Sequence, residues 1–154
     1  MRFAAGENPF DDEKSLFDFN KFIQYPEEFL KLDDALAAWA RESLEHPEMA
    51  QRERPKDGYS SGGYEWCIAN WGTQWTACGI EKEGPTTGYD GTVEVVFHFD
   101  TAWSPPKPVI KNAAERYPAL TFDLRYFECG CCFRGVFRCK GGEVEEDASG
   151  EYFG

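Results

Sequence analysis

Residues 92–106 read TVEVVFHFDTAWSPP, and this stretch decides the fold class. From Val93 to Phe99 every second residue is apolar, the period of two that predicts a strand with one apolar face. Ser104 then suits the N-cap of a helix and Pro105 its first helical position. A strand that leads directly into a helix predicts a domain of mixed composition.

The segments before this stretch predict one helix and further strands. Apolar residues at helical spacing and many alanines favour a helix over residues 27–45. Residues 46–63 are polar and predict a long loop. Alternation around Tyr64 and Trp66 favours a strand, a turn and a second strand over residues 64–83, and residues 85–91 suggest a loop.

The segments after it complete an α+β pattern. The helix from Ser104 to about residue 116 should bury a stripe made of Val109, Ile110, Ala113, Ala114 and Tyr117. Strands are expected at residues 121–128 and 132–139, and the acidic residues 143–147 suit an edge strand. The economical arrangement is a mostly antiparallel sheet with helices on one face.

The N-terminal part differs in character from the rest. Residues 1–15 predict an irregular lead-in, and residues 16–23 a short, aromatic, extended segment. We therefore expect residues 1–63 to be an acidic helical extension, either an appendage or part of the same domain. Residues 64–154 should then form the α+β core with an acidic tail.

The net charge of −12 is unevenly distributed along the 154 residues. The first 50 residues hold 12 acidic and 5 basic side chains, whereas residues 101–154 hold 8 and 7. A protein that binds nucleic acid directly needs basic side chains against the phosphates, and no basic stripe is visible. The charge instead favours attraction to a basic partner protein.

The compartment is expected to be the cytoplasm of the host cell. No run of 18 apolar residues predicts a membrane span, and the first residues lack the apolar run of a signal peptide. The six cysteines are therefore expected to be reduced.

Four sets of residues resemble the YubB-type ferredoxin-like domain family of phage and plasmid proteins. They are FDFNKFIQYP at 17–26, NWGTQW at 70–75, FDTAWSPP at 99–106, and the tyrosine and glycine landmarks at 117–118, 126–130 and 133–135. The resemblance covers about residues 16–142. It implies a ferredoxin-like fold, but brings no agreed reaction, cofactor or catalytic residue.

Cysteine and histidine spacing gives little support to metal or catalytic chemistry. Cys129, Cys131 and Cys132 are close together, but a second Cys-x-x-Cys pair is missing, so free thiols are expected instead of a zinc site. His46 and His98 are far apart and form no triad pattern. There is no phosphate-binding glycine motif. We expect no cofactor and no metal, and enzymatic activity has little positive support.

Six residues are candidates for a binding site. Trp71, Trp75 and Trp103 with Asp100 could line a binding surface, because tryptophan is enriched at interface hot spots. The alternative is that these tryptophans pack beneath the helix and fix the turns. Asp33 and Asp34 are acidic candidates in the N-terminal helix, where paired acids usually form a solvated face.

The leading hypothesis is a phage- or plasmid-type accessory protein that acts by binding another protein. One version is counter-defence or host takeover by mimicry of nucleic acid, in which carboxylates occupy a basic groove. The first alternative is a small-ligand binder or enzyme with a pocket near the tryptophan motifs. The second is a structural or assembly protein that associates through its edge strands.

Overall fold

The computed structural model describes residues 17–151, with three α-helices and five strands among them. The helices are α1 (Glu27–Glu45), α2 (Gly63–Trp71) and α3 (Lys107–Arg116). The strands are β1 (Cys78–Thr87), β2 (Val93–Asp100), β3 (Thr121–Glu128), β4 (Phe133–Lys140) and β5 (Glu143–Glu151). Short 3-10 helices occupy Phe19–Lys21, Pro47–Gln51 and Tyr59–Ser61. The predicted lead-in at residues 1–15 lies outside the described residues.

Within the described chain, all strand pairs are antiparallel, and the strands form two separate sheets. β1 and β2 form a two-stranded sheet, and β3, β4 and β5 form a three-stranded sheet in that order. The β3–β4 ladder is regular from Thr121 opposite Lys140 to Glu128 opposite Phe133. Its four-residue connection, residues 129–132, is therefore a tight hairpin loop.

The core lies where α3 packs on the three-stranded sheet. α3 buries Val109, Ile110, Ala113 and Ala114, which recur at i, i+1, i+4 and i+5 along one side of the helix. The core cluster continues through residues from the sheet, from α2 and from the segment before α1. Its other buried members are Phe17, Phe19, Cys67, Trp71, Ala77, Leu124, Phe137 and Cys139.

Most of the predicted elements are confirmed. α1 has the bounds expected from its helical spacing, β3 matches its prediction residue for residue, and β2 and β4 differ by one residue at their ends. The acidic tail is an edge strand, because β5 pairs only with β4 among the described strands. The α+β fold with antiparallel strands is thus as predicted, while its strands are divided over two sheets.

The strand predicted around Tyr64 and Trp66 is wrong, because these residues belong to helix α2. The buried positions of α2 are Gly63, Cys67 and Trp71, which are four residues apart as a helix requires. The segment is apolar at so many positions that it also fits a period of two. Only the burial pattern in the folded chain separates the two interpretations.

Three smaller expectations also fail. The segment around Phe19 is a 3-10 helix rather than extended. β1 continues to Thr87, with an irregularity between Glu83 and Thr86 that accommodates Pro85, so the predicted loop starts later. α3 begins at Lys107 with Pro106 as its N-cap, so Ser104 is not the cap and Pro105 is not the first helical residue. The hydroxyl of Ser104 instead donates a hydrogen bond to the carbonyl oxygen of Gly72.

The division of the chain at residue 63 stays a prediction. Phe17 and Phe19, which precede it, lie in the same core cluster as Trp71 and Val109, which follow it. Within residues 17–151, none of the helices is both long and apolar enough to cross a membrane.

Candidate functional site

Two loops that carry the tryptophan motifs are joined by hydrogen bonds. Thr73 is fully buried, and its hydroxyl donates to the carbonyl oxygen of Ala102 at 3.0 Å. The hydroxyl of Ser104 donates to the carbonyl oxygen of Gly72. The loop that follows α2 and the loop that follows β2 therefore form one structural unit, although 29 positions separate Thr73 from Ala102.

Gly72 is required at this junction for two reasons. Its φ of 78° lies in the left-handed region, which ends α2 with an amide hydrogen bond to Ile68 at 3.2 Å. A Cβ at this position would also lie 2.8 Å from Cδ of Pro108, at the start of α3. A glycine after Trp71 therefore lets the chain turn while α2 and α3 approach closely.

The three tryptophans of the motifs have different environments. Trp71 is buried in the core, and its indole N–H donates to the carbonyl oxygen of Ile23 at 2.7 Å. Trp75 and Trp103 instead expose 46% and 61% of their surface. We name these two residues and the loops that present them, 72–77 and 101–106, the Trp75–Trp103 surface.

Trp103 lies at the centre of a constrained turn. Its φ is 64°, in the left-handed region that bulky residues rarely adopt. The amide of Ser104 donates to the carbonyl oxygen of Ala102 at 2.9 Å, which closes a three-residue γ-turn around Trp103. The hydroxyl of Thr101 donates to the carbonyl oxygen of Ser104 at 2.9 Å. These bonds hold a large apolar side chain in solvent on a strained backbone.

Asp100 precedes this turn at the end of β2 and is exposed. Its carbonyl oxygen accepts a weak hydrogen bond from the thiol of Cys78 at 3.7 Å, where β1 begins. A Cβ at Gly79 would lie 3.0 Å from Oδ2 of Asp100, so its carboxylate approaches the β1 backbone. Asp100 therefore belongs to the strand pair next to the Trp75–Trp103 surface.

The acidic candidates of α1 contact a different part of the chain. Oδ1 of Asp33 accepts hydrogen bonds from the backbone amides of Gly58 and Tyr59 at 2.7 Å and 3.2 Å. Oδ2 of Asp33 accepts a longer bond from the hydroxyl of Tyr25 at 3.4 Å. Asp34 is exposed on the same helix. Asp33 thus fixes the segment after α1, and its contacts do not include the two tryptophan loops.

Burial near Asp33 perturbs two ionisable groups. Burial raises the pKa of Tyr25 to about 12, with a further contribution from the negative charge of Asp33. Burial likewise raises the pKa of the Cys67 thiol to about 11, and Asp33 adds to the effect. Both groups are therefore held in their neutral forms at neutral pH, which suits packing rather than proton transfer.

A shallow, open cleft of about 490 Å³ lies between the start of α3 and the β3–β4 loop, and sequence reasoning missed it. Nζ of Lys107 forms an ion pair with Asp147 at 2.6 Å and lies over the rings of Tyr126 and Phe137. The cleft is lined by Pro105, Lys107, Tyr126, Cys131, Cys132, Phe133, Ser149, Gly150 and Glu151. These residues come from four separate segments, so sequence spacing could not unite them. Pro105, from the last tryptophan motif, lines this cleft, but none of Trp71, Trp75 and Trp103 and no acid of α1 does so.

The cysteines and histidines do not assemble into a metal centre in the described chain. Cys67 and Cys139 are buried, whereas Cys78, Cys129, Cys131 and Cys132 are exposed free thiols. Among residues 17–151, no three His, Cys, Asp or Glu side chains are grouped so as to hold a metal ion. His98 faces solvent, with Nε2 3.3 Å from a carboxylate oxygen of Glu83, and His46 lies 3.5 Å from Glu48.

Comparison with known proteins finds a match to the C-terminal part of the chain. No curated protein and no solved structure matches this sequence. Residues 85–153 match the model of a family described as the ferredoxin-like domain in Api92-like protein. The match begins near the end of β1 and includes Asp100 and Trp103, but not Trp71, Trp75 or the acids of α1. The chain thus contains, from the end of β1 through β5, a ferredoxin-like domain similar to that of Api92-like proteins.

Proposed function

We propose that the chain is an accessory protein of the phage or plasmid type that acts by binding another protein through the Trp75–Trp103 surface. The observation that carries this proposal is the exposure of Trp103 at the centre of a strained γ-turn. The resemblance of the tryptophan motifs to YubB-type proteins supports the phage or plasmid type.

The energetics of the turn favour a binding role. A non-glycine residue in the left-handed region costs on the order of 1–3 kcal/mol, and such strain is concentrated at functional sites. With 61% of its surface exposed, Trp103 recovers little of this cost by packing against its own chain. Buried against a partner, the same side chain is the kind that dominates interface energies. The strained backbone and the exposed ring together therefore support a contact surface.

The charge of the chain favours a basic partner. The net charge is −12, and exposed acids of α1 include Glu27, Glu28 and Asp34. A negative surface steers basic partners toward it and repels nucleic acid itself. A host protein that normally holds nucleic acid fits this chemistry, which makes counter-defence or host takeover the role that we propose.

Variants of the two exposed tryptophans test this proposal. The wild-type chain, the double variant Trp75→Ala/Trp103→Ala and the control Tyr89→Ala are each immobilised and exposed to lysate of the native host. Tyr89 is a fully exposed aromatic residue in the β1–β2 connection, so the control removes a comparable ring elsewhere. One partner retained by the wild type and by the control should be lost by the double variant. Loss of a hot-spot tryptophan costs about 2 kcal/mol or more, roughly thirtyfold in Kd.

Competition and salt then test the chemistry of the captured partner. Added salt should weaken the complex, because it screens the attraction between acidic and basic surfaces. Double-stranded DNA should displace the chain if the partner's nucleic-acid groove is occupied. A partner held equally by all three chains would contradict the role of the Trp75–Trp103 surface. Binding indifferent to salt and DNA would contradict nucleic-acid mimicry.

The alternatives have weaker support. Trp71 packs in the core, and the cleft beside α3 is lined by Pro105 but by none of the three tryptophans, which leaves a ligand pocket formed by the tryptophans less supported. Assembly through the edge strand β5 would bring together two copies of that strand. That strand carries five acids, Glu143, Glu145, Glu146, Asp147 and Glu151, whose like charges oppose edge-to-edge pairing.

A further inference from the structure

The β3–β4 hairpin loop concentrates half of the cysteines of the chain. Its four residues are Cys129, Gly130, Cys131 and Cys132, and all three cysteines are exposed free thiols. The last paired residues of the ladder are Glu128 and Phe133. Cys129 therefore directly follows β3, and Cys132 directly precedes β4, at the two ends of the hairpin loop.

The geometry of this loop brings Cys129 and Cys132 together. The thiol of Cys132 donates a hydrogen bond to the carbonyl oxygen of Cys129 at 3.4 Å. The first and fourth residues of a β-turn have Cα atoms within about 7 Å of each other. A disulfide spans Cα separations of about 4.4–6.8 Å, so a bond between these cysteines needs little movement of the backbone.

Two further contacts define the shape of the loop. The amide of Gly130 donates to Oε1 of Glu128 at 2.6 Å. Cys132 has a φ of 53°, in the left-handed region, which turns the chain back into β4. Cys131 and Cys132 both line the shallow cleft beside α3, which gives a small molecule access to their sulfur atoms.

The other cysteines are less suited to reaction. Cys67 and Cys139 are buried, and burial raises the pKa of both thiols, which disfavours the reactive thiolate. Cys78 is exposed but lies at the start of β1, away from the hairpin loop in the chain. Among the described cysteines, only those of the β3–β4 loop are both exposed and close to another cysteine in the chain.

We propose that Cys129 and Cys132 form a dithiol site that reacts with small-molecule disulfides such as glutathione disulfide, closing a disulfide across the β3–β4 hairpin. The thiolate of one cysteine attacks a sulfur atom of glutathione disulfide, whose S–S bond breaks as a mixed disulfide forms. One glutathione thiolate leaves. The second cysteine thiolate then attacks the protein sulfur of the mixed disulfide and expels the second glutathione thiolate.

The atoms and electrons balance over these two steps. The protein dithiol loses two electrons and two protons, and glutathione disulfide becomes two molecules of reduced glutathione. The thiol of Cys131 adjoins the site but is not consumed. Cys129 and Cys132 lie outside the Trp75–Trp103 surface, although its Pro105 lines the same cleft as Cys131 and Cys132. The reaction needs only glutathione disulfide, so it does not depend on the proposed protein partner.

Mass mapping of the wild-type chain tests this site directly. The reduced, full-length protein is incubated with glutathione disulfide, quenched with acid, alkylated and digested. We expect Cys129 and Cys132 to lose their alkylatable thiols, and a peptide that contains an intact Cys129–Cys132 bond. Cys78 should carry at most a mixed disulfide with glutathione, because it lies on a strand without a paired thiol. A wild-type chain with all its exposed cysteines still alkylated, or with glutathione retained on Cys129 or Cys132, would overturn the proposal.

Two serine variants distinguish the proposed pair from the third thiol. Cys132→Ser should stop at a mixed disulfide on Cys129, whereas Cys131→Ser should still form the cross-turn bond at the wild-type rate. A disulfide between Cys131 and Cys132 in the wild-type chain would show that the proposal names the wrong pair of cysteines. Unchanged loss of two thiols in Cys132→Ser would overturn the proposal equally. Far-ultraviolet circular dichroism checks that both variants keep the wild-type fold.

Discussion

Oδ1 of Asp33 in α1 accepts a hydrogen bond from the backbone amide of Gly58, 2.7 Å away. The backbone comes so close here that a Cβ at residue 58 would lie 2.0 Å from the carbonyl oxygen of Phe29. Glycine at residue 58 permits the approach, and the carboxylate of Asp33 satisfies the amide. This pair therefore attaches the long segment between α1 and α2 to the first helix.

Replacing Asp33 with alanine should destabilise the chain by about 1.5–3 kcal/mol. The reason is that two backbone amides, those of Gly58 and Tyr59, lose a charged acceptor. Asp34→Ala is the matched control, because Asp34 is the exposed neighbour on the same helix. Urea unfolding measures both changes, and amide exchange at Gly58 and Tyr59 should quicken only in Asp33→Ala. Equal losses in the two variants would show that helix charge matters instead of this contact.

Alkaline stability should depend on Tyr25. Burial, followed by the charge of Asp33, raises its pKa from the ordinary 10.0 to about 12 in the folded chain. Between about pH 10 and pH 12, the folded state therefore binds more protons than the unfolded state. The stability from Tyr25 is therefore complete below about pH 10 and is lost as pH rises through about 12.

The variant Tyr25→Phe isolates this contribution. Its free energy of unfolding should fall less steeply than that of the wild type between about pH 10 and pH 12. Cys67 contributes a slope of the same sign in both chains, because burial also raises the pKa of its thiol. Denaturant titrations at several pH values provide the measurement. Parallel curves for the two chains would contradict the raised pKa of Tyr25.

The successful and failed predictions have a common physical cause. Strands such as β3 and the helix α1 were predictable because one face is consistently apolar or polar along the whole element. Helix α2 was not, since aromatic residues around Trp66 satisfy a period of two as well as the helical one. α2 ends at Gly72, and Gly72 lies close to Pro108 in α3. Both features depend on the folded chain and are not visible in the local sequence.

The candidate site was predictable in its residue types but not in its geometry. The tryptophan motifs stand out in the sequence, yet nothing local indicates that Trp71 is buried while Trp75 and Trp103 are exposed. Trp71 packs against Phe19 and Tyr25, which lie far from it in the chain, and the bond between Thr73 and Ala102 joins two distant loops. Asp33 was an acidic binding candidate, and its contact with Gly58 could not be inferred from spacing.

The three-stranded sheet should tolerate alanine at Gly150 but not at Gly135. A Cβ at Gly135 would lie 2.3 Å from the hydroxyl oxygen of Tyr126 and 2.6 Å from the carbonyl oxygen of Ala148. At Gly150, apart from its two chain neighbours, no atom of residues 17–151 lies within 4 Å of the same position. We expect Gly135→Ala to cost about 1–3 kcal/mol through overpacking, as judged by urea unfolding. Gly150→Ala should change stability by no more than about 0.5 kcal/mol. Similar losses at both sites would mean that the Tyr126 ring moves freely away from Gly135.

The strain at Trp103 predicts an unusual order of stabilities. Alanine and glycine both remove the indole, but only glycine adopts a φ of 64° without a steric cost. Trp103→Gly should therefore be more stable than Trp103→Ala by about 1 kcal/mol. At Trp75, which has no positive φ, the order should reverse by about 0.4–1 kcal/mol, because glycine is freer in the unfolded chain.

Urea unfolding of the four variants, combined with partner binding, separates strain from recognition. Both substitutions at Trp103 should lower the affinity for the proposed partner equally, since each removes the same side chain. If Trp103→Gly is more stable than Trp103→Ala but binds the partner no better, the indole is the group that binds. The strained backbone then serves to hold the indole exposed. If alanine is the more stable residue at both positions, the turn at Trp103 carries no strain, and exposure alone would have to support the binding surface.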